Sequence, residues 1–345
     1  MSFGVTRRRR LRILSDMRTA VRYAILITGG PATRLRPLTD VMPKRCVPVG
    51  NVPVQDHIVR WLARHGVRGV LLGSSDQEPT GSLPDPGSLG VEEVRAVREP
   101  EPLGTGGFVR LAMEGLDGLV AVMNGDILTD LDLTAMTGLA ASEDADAVIA
   151  VRRVDDPSSF GVLELADDGT VRRFLEKPAP GDMGSDLANG AVYVLHPRAL
   201  AHIAPGSACS LELELFPWLV ESGRKVLGWN AGETYWLDIG THVRYLQANR
   251  GTALGASPLA ARGVRREGWL ADEGALVHPA TSVGGGSVLG RGTIVSDGAS
   301  VQGSVLLTGA RVGPNAVVVD SVLGPGARVE SGQTVRGTIL CAAIA

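Results

Sequence analysis

The sequence has little that would tie it to a disulfide scaffold, a membrane or a polyanion. Only three of its 345 residues are cysteine, Cys46, Cys209 and Cys341. They are odd in number, far apart and form no CxxC pair, which argues against a disulfide framework or a zinc site and for reduced thiols in a cytoplasmic protein. Each reads as a small buried hydrophobe. No apolar run approaches the roughly 18 residues that a membrane span requires. A secretory signal needs an apolar stretch after its basic start, and none follows Arg7-Arg8-Arg9-Arg10. With a formal net charge of -3, the chain also lacks a global field for nucleic acid or anionic lipid. The four arginines are the local exception. So short a run reads as part of a solvated tail rather than a nucleic-acid patch, and Met17 offers a second start beyond it. Residues 1–20 are expected to be a basic, disordered extension.

What is present is ordinary for a globular protein: 44% hydrophobic and 21% charged residues, over a length that allows one large domain and a smaller one. Two textures divide it. From about Tyr23 to Arg250, short β-rich runs alternate with helical patterns. Ala24-Ile-Leu-Ile27 is a continuous apolar run ending in a glycine turn, the pattern of a strand covered on both faces. Val54, Ile58, Trp61 and Leu62 then share one helical stripe, with Gly66 at the C-cap position. Val67 to Leu72 reads as the next strand, completing a βαβ unit. Further buried strands are expected at Leu119–Met123 and Ala147–Val151, and a hairpin at Phe160–Leu165 and Val171–Leu175 across Asp167-Asp-Gly169. The expected fold class is α/β, a Rossmann-like mixed, mostly parallel sheet with helices on both faces. Asp76 to Gly90, with three prolines and three glycines, reads as a mobile loop.

From about Gly274 the texture changes. Val277, Val283, Leu289, Val295 and Val301 recur every six residues, separated by Gly, Ser, Thr and Asp. The phase then shifts, but Val312, Val318, Val329 and Val335 keep the spacing. Gly298-Ala-Ser-Val301, Gly309-Ala-Arg-Val312 and Gly326-Ala-Arg-Val329 repeat almost verbatim. A six-residue period suits one face of a triangular coil, in which every sixth side chain stacks inward and glycine turns the corners. This is the hexapeptide pattern of a left-handed parallel β-helix; antiparallel hairpins would alternate at two. The expected division is 1–20 extension, 21–255 catalytic domain, 256–273 linker and 274–345 β-helix.

The candidate chemistry starts after the first strand, at Thr28-Gly-Gly-Pro-Ala-Thr-Arg-Leu-Arg-Pro-Leu-Thr-Asp-Val-Met-Pro-Lys44. Glycines let backbone amides approach phosphate oxygens, and a loop at the carboxyl end of a strand is where α/β ligands bind. Neither GxxxxGK[ST] nor GxGxxG is present. The loop does offer Arg34, Arg36 and Lys44, cations suited to a polyphosphate and a pyrophosphate leaving group.

This segment resembles the signature of sugar nucleotidyltransferases, roughly GGxGTRLxPLT followed by PK. Glu101-Pro-Leu-Gly-Thr-Gly-Gly107 is similar to that family's ExPLGTAG, Asn124-Gly-Asp126 to its NGD, and Phe160-Gly161 with Glu176-Lys-Pro178 to its FG and EKP. Asn189-Gly-Ala-Val-Tyr193 is similar to NAGIY, and Trp236-Leu-Asp-Ile-Gly-Thr241 to WxDIGT. A β-helix after this domain also resembles family members, notably mannose-1-phosphate guanylyltransferases. Asp155-Asp-Pro-Ser-Ser-Phe-Gly161 and Ser210-Leu-Glu-Leu-Glu-Leu-Phe-Pro217 lean towards that guanylyl branch.

The resemblance implies a role for each position. Arg34, Lys44 and Asp126 would be catalytic. Gly29, Gly30, Thr33, Glu101, Gly104, Thr105 and Gly125 would face the nucleotide. Gly161, Glu176, Lys177 and Asn189 would hold the sugar phosphate. Asp126 and Asp238 would bind Mg²⁺, which prefers a few carboxylates plus phosphates and water and is needed where two anions must meet. The implied reaction joins a nucleoside triphosphate to a sugar or sugar-like (cyclitol) 1-phosphate, giving an NDP-sugar, with GDP-sugar preferred, and pyrophosphate. Thymidylyl and adenylyl transfer remain alternatives of the same fold.

The chain departs from the pattern at Thr28, Pro31 and Ala32, at Arg45-Cys46, and in reading NGA for NAG. These changes spare the ionic residues and leave the acceptor open. Two further readings compete. A non-catalytic regulatory homologue would be free to lose Arg34, Lys44, Asp126, Lys177 and Asp238, all of which are present. An acyltransferase β-helix would need a general base, and its sole histidine, His278, reads as a surface residue. The β-helix is expected instead to assemble a homo-oligomer, dimer or tetramer.

Overall fold

The computed structural model describes residues 21–30, 32–74, 83–179, 182 and 184–342. The expected extension 1–20 with its arginines, Pro31 and much of the 76–90 loop lie outside them. The chain packs as two compact units, neither of them one stretch of sequence. The first comprises the described residues up to Gly29, Val59–Gly125 and Leu131–Thr234. The second comprises Gly30–Ile58, Asp126–Asp130 and residues from Tyr235 onward.

The first unit is built on a nine-stranded mixed sheet. Edge to edge, the path runs Val171–Glu176, Gly161–Leu165, Leu187–Leu195, Val120–Asn124, Tyr23–Ile27, Gly69–Ser74, Glu93–Arg98, while Ala147–Arg153 and Val226–Asn230 branch from Leu187–Leu195. Tyr23–Ile27 pairs in parallel with both neighbours. Leu187–Leu195 runs antiparallel to Val120–Asn124 and to Ala147–Arg153. The unbroken apolar runs are explained by burial: Ile25, Val122, Ile149 and Tyr193 lose all exposure in one core with Phe216. A sheet packed on both faces has no solvent side to call for alternation.

The helix Val54–Arg64 ends as expected at Gly66, whose φ is 84°. Its close displaces the next strand, which covers Gly69–Ser74 rather than starting at Val67. The Val67 amide donates back to Leu62 O and that of Gly66 to Ala63 O. Val67 is thus taken up by a Schellman cap before pairing can begin. Within the loop expected at 76–90, the described part holds one helical turn, Pro86–Leu89, with Asp85 accepting from the Ser88 amide at 3.1 Å.

The second unit carries two short antiparallel pairs, the helix His242–Ala253 and a β-helix. In the tight pair Pro48–Val49/Val52–Pro53, Gly50 and Asn51 both have positive φ, the requirement of a type I′ turn. The second pair joins Ile127–Thr129 to Trp236–Asp238.

The β-helix has three sheets, parallel throughout except where one begins with the antiparallel pair Val264–Arg266/Trp269–Ala271. Its first coil spans eighteen residues, Val277 pairing with Val295, and later coils seventeen, Val295 with Val312 and Val312 with Val329. This is the phase shift seen in the sequence. Val301 is followed by the next inward residue, Leu306, after five positions, whereas the other two corners keep six. The shortened corner stacks Ser287, Ser304 and Ser321, all fully buried. Ser287 Oγ accepts the Ser304 amide at 3.1 Å, Ser304 Oγ the Ser321 amide at 3.1 Å, and Ser321 Oγ the Thr338 amide at 3.3 Å. Each hydroxyl donates in turn to a carbonyl of its own coil, so a buried polar column is fully satisfied. No helix among the described residues is long and apolar enough to cross a membrane.

Candidate active site

Two groups of expected site residues form, one in each unit. In the second unit, the signature loop is a turn at Thr33–Leu35 followed by a turn at Leu38–Val41. Leu35 and Leu38 are fully buried and pin it, which leaves Thr33 and Arg34 exposed. Ala32 holds φ 41°, a left-handed conformation that glycine adopts without cost. The Thr39 hydroxyl donates to Ala32 O at 3.0 Å and braces it. The Arg45-Cys46 departure is accounted for nearby. Arg45 is 97% buried and gives Nη1 to Gln55 Oε1 at 2.8 Å and to Cys46 Sγ at 3.4 Å.

Asp126 and Asp238 lie far apart in sequence and side by side in the fold. Asp238 pairs with Ile127 across the two short strands, and the Ile239 amide donates to Asp126 O at 3.1 Å. The Asp126 carboxylate is ion-paired with Lys44. Asp238 accepts from the Gly240 amide at 2.5 Å on Oδ1 and from Arg244 Nη1 at 2.9 Å on Oδ2. Arg34 stands beside it: a Cβ added to Gly240 would meet Asp238 Oδ1 at 2.7 Å and Arg34 Nη2 at 3.1 Å. Arg34, Lys44, Asp126 and Asp238 therefore come together, joined by Arg244, which the sequence reading missed. Its signal was Thr241, whose hydroxyl accepts the Arg244 amide and starts a helix with Arg244 in the first turn. No group of three or more His, Cys, Asp or Glu arranged to hold a metal occurs among the described residues. A pair of carboxylates at adjoining ends of two short paired strands does fit a hard cation that takes its remaining ligands from phosphate and water.

In the first unit, Gly125 is required by packing. A Cβ there would stand 2.4 Å from the Thr28 methyl, and its amide donates to Ile27 O at 2.8 Å. Thr28, another departure, donates its hydroxyl to Gly73 O at 2.5 Å. Gly29 is exposed and opens towards Glu99, and Gly30, in the second unit, is exposed with φ 116°. Glu101 is exposed in its loop. The carboxylate in use there belongs to Glu99, which accepts the Leu103 amide at 3.0 Å. The Glu-Pro-Glu-Pro alternation offered both frames.

Gly104, at φ 69°, opens the helix Gly104–Ala112. A Cβ would meet Cys209 O at 2.7 Å. That same carbonyl accepts the Gly106 amide at 2.8 Å and the Gly107 amide at 3.2 Å. These glycines serve the close approach of the 207–209 backbone, and two amides of the helix start are already committed. Thr105 donates to Glu212 Oε2 at 2.8 Å and accepts the Leu211 amide at 2.8 Å.

The sugar-phosphate candidates gather at the hairpin Gly161–Leu165/Val171–Glu176 and at Leu187–Leu195. A Cβ on Gly161 would meet Glu176 Oε2 at 2.8 Å and Asn189 Cβ at 3.3 Å, so this glycine makes room for both. Burial pushes the Glu176 carboxyl above its usual value; the Lys177 ammonium, 3.3 Å away, opposes this and Glu212 adds to it. Lys177 is largely exposed and holds φ 45°, a strained conformation for a lysine. Asn189 is 93% buried; its Oδ1 accepts the Ala191 amide at 2.9 Å and its Nδ2 donates to Tyr193 Oη at 2.9 Å. In the NGA departure, Gly190 is packed on Ala150 O, 3.0 Å from where a Cβ would stand, while Ala191 takes φ 53°. Gly161, Glu176, Lys177 and Asn189 are brought together, with Tyr193 and Glu212 as unforeseen members.

Residues 23–254 match the family profile described as nucleotidyl transferase, and residues 277–344 match a GlmU-like C-terminal hexapeptide profile. The chain belongs to the nucleotidyl transferase family. This nucleotidyl transferase is 32% identical over 299 residues to the mannose-1-phosphate guanylyltransferase of Mycobacterium tuberculosis, covering 86% of this chain and 82% of that protein. It is 28% identical to a UTP–glucose-1-phosphate uridylyltransferase of Synechocystis, with 86% of each covered. A solved structure from Bacillus anthracis, provisionally named a glucose-1-phosphate thymidylyltransferase, shares the fold at TM-score 0.59 and 23% identity, over 67% of this chain and 94% of that one.

Proposed function

We propose that this enzyme forms an NDP-sugar and pyrophosphate from a nucleoside triphosphate and a sugar or cyclitol 1-phosphate, with guanosine triphosphate as the preferred nucleotide. A phosphate oxygen of the acceptor attacks the α-phosphorus in line. The bond to the β-phosphate breaks, and pyrophosphate departs with the electron pair. No covalent enzyme intermediate is needed, so catalysis rests on positioning and charge.

The observation that carries this reading is the cluster of three cations and two carboxylates at Arg34, Lys44, Arg244, Asp126 and Asp238. Arg34 and Lys44 neutralise charge on the departing pyrophosphate. Asp126 and Asp238 are the residues that would hold Mg²⁺, which would draw charge from the phosphates and raise the electrophilicity of phosphorus. Lys44 and Arg244 keep the two carboxylates oriented beforehand. Gly29, Gly30, Thr33, Glu101, Gly104, Thr105 and Gly125 form the nucleotide side. Lys177 takes the acceptor phosphate, with Glu176 and Asn189 meeting its hydroxyls and Gly161 giving them room. The name of the Mycobacterium tuberculosis relative and the runs 155–161 and 210–217 support a guanylyl choice. The inverted glycine and alanine at 190 and 191 support an unusual acceptor.

A pyrophosphate-release screen of five nucleoside triphosphates against sugar and cyclitol phosphates tests the reading. Release is expected with at least one pair; none at all with Mg²⁺ present would refute it. Mannose 1-phosphate turning over as well as any other acceptor would refute the unusual one. Asp126→Asn should abolish release while leaving the melting temperature within a few degrees, and full activity would refute the metal assignment.

The β-helix is assigned to assembly, as a dimer or tetramer. The antiparallel strand ahead of the coils leaves Val264 exposed and the first coil leaves Leu276 exposed, each on a strand at the end of its sheet. None of the three cysteines is in a disulfide, which supports a cytoplasmic location.

A further inference from the structure

The run Ser210–Pro217 drew notice in the sequence without gaining a role. In the fold it is a tight turn, Leu211–Leu215, started by Ser210, whose hydroxyl accepts the Leu213 amide. The turn holds the half-buried Glu212 at a junction of three hydroxyl groups. Oε2 accepts from Thr105 at 2.8 Å and from Ser210 at 3.2 Å; Oε1 accepts from Tyr193 at 3.5 Å. Tyr193 is fully buried, and burial together with Glu212 pushes its phenol far up, so it stays a donor. It accepts in turn from Asn189 Nδ2. Every hydrogen bond in the chain Asn189–Tyr193–Glu212–Thr105 therefore points to one carboxylate.

Two consequences follow for Asn189. Its Oδ1 is committed to the Ala191 amide and one Nδ2 hydrogen to Tyr193, so reversing the amide would break both bonds. Its second Nδ2 hydrogen and the second lone pair of Oδ1 remain to meet a ligand, and their directions are set through Tyr193 by Glu212. At the other end, Thr105 lies in the first turn of the helix whose start is fastened to Cys209 O. Anything that orders the 103–107 segment orders Thr105, and through it the carboxylate and the asparagine.

Resting on the functional reading above, we propose that Glu212 is a positioning residue that couples the nucleotide segment to the sugar-binding asparagine, so that bound nucleotide tightens acceptor binding. The ordering cost of the hydroxyl chain is met once, by the first ligand, and spared to the second. By reciprocity, the acceptor tightens the nucleotide by the same factor.

The test is calorimetry on the full chain with α,β-methylene guanosine triphosphate and mannose 1-phosphate, each alone and each in the presence of the other. In the unaltered protein, saturation with the nucleotide analogue is expected to tighten mannose 1-phosphate by about tenfold, within the usual range for coupled sites. In Glu212→Gln that factor should fall below about twofold, with the analogue's own Kd changed by less than about threefold. Tyr193→Phe should lose the coupling to the same extent, and the double variant should lose no more, because both break one chain. Glu212→Asp should restore part of it. Failure of the nucleotide analogue to bind the unaltered protein, or of mannose 1-phosphate together with every other acceptor of the release screen, would overturn the substrate reading itself. Binding of both without mutual tightening would overturn only the coupling. So would a Glu212→Gln protein that keeps the factor, or one that weakens both ligands alike when each is alone.

Discussion

The nine-stranded sheet and the β-helix solve the same problem, burying aliphatic strands, in opposite ways. In the sheet, neighbours in space are often remote in sequence, and the chain bends where it should not. Lys177 and Ala191 take left-handed conformations, and Asn189 and Tyr193 carry buried polar groups satisfied only by each other and by their surroundings. In the β-helix each strand pairs with the one a coil later, and left-handed positions fall to glycine or to Asn315 and Asp320, which tolerate them. Its buried polar column is repetitive and closed. The contrast teaches that irregularity held in place by packing gathers where a ligand must be met, while regular stacking supplies support.

The sharpest way to break this contrast is to remove charge from an irregular site. Lys177→Met should lower kcat/KM for the acceptor by about 10²–10³-fold, yet leave the melting temperature within 2 °C or so, since the side chain is mostly exposed. A large loss of stability instead would make Lys177 structural. The converse change is Leu306→Ala in the stacked column, where the side chain is fully buried. It should cost about 2–5 kcal/mol of stability in a denaturant titration, with nucleotide affinity retained in the folded fraction.

A smaller effect follows from Glu176, whose carboxyl is raised mainly by burial. The folded protein binds this proton more tightly than the unfolded chain does. The group therefore weighs against folding once ionised, and stability from it is lost as pH rises through the raised value. For the ligand the sign is opposite: an ionised Glu176 accepts acceptor hydroxyls, so acceptor KM should climb as pH falls through that value. The climb should begin at higher pH than an ordinary glutamate would give and vanish in Glu176→Gln. The smallest expected effect is at Ala191. Ala191→Gly relieves a left-handed alanine at some cost in backbone freedom, for a net gain of about 1 kcal/mol or less. A fall in melting temperature would show that the alanine methyl packs productively.

Much of the fold was legible because it rests on local pattern. Apolar runs of four or five residues marked sheet strands, and the six-residue period marked the coils. Strand starts were less legible: Val67 has every property of a strand residue and is claimed by the helix cap instead. The grouping into packing units was hidden, because the signature loop belongs with Asp126, Asp238 and the coils, far along the chain. Motifs picked out Arg34, Lys44, Asp126 and Asp238, which the fold brings together, but not the packing around the small residues. Gly104 and Gly125, besides the nucleotide role proposed for them, make room for Cys209 O and the Thr28 methyl. Glu212 and Arg244 escaped because each acts through a partner more than a hundred residues away or across a turn, and a single sequence does not reveal such pairs.

The seventeen-residue coil has a bearing on how this protein came to its present length. Each coil ends by handing one serine hydroxyl to the next coil's amide, and the next coil begins with the same request. A tandem duplication of seventeen codons would add a whole storey, with its inward aliphatics in phase and its hydroxyl already matched. The first coil takes an eighteenth residue at its Gly284–Gly286 corner without losing register, whereas an insertion of half a coil, about nine residues, would set every later side chain on the wrong face. Growth by whole units is thus permitted at this end of the gene, while the catalytic half, with its singular contacts, has no unit to copy.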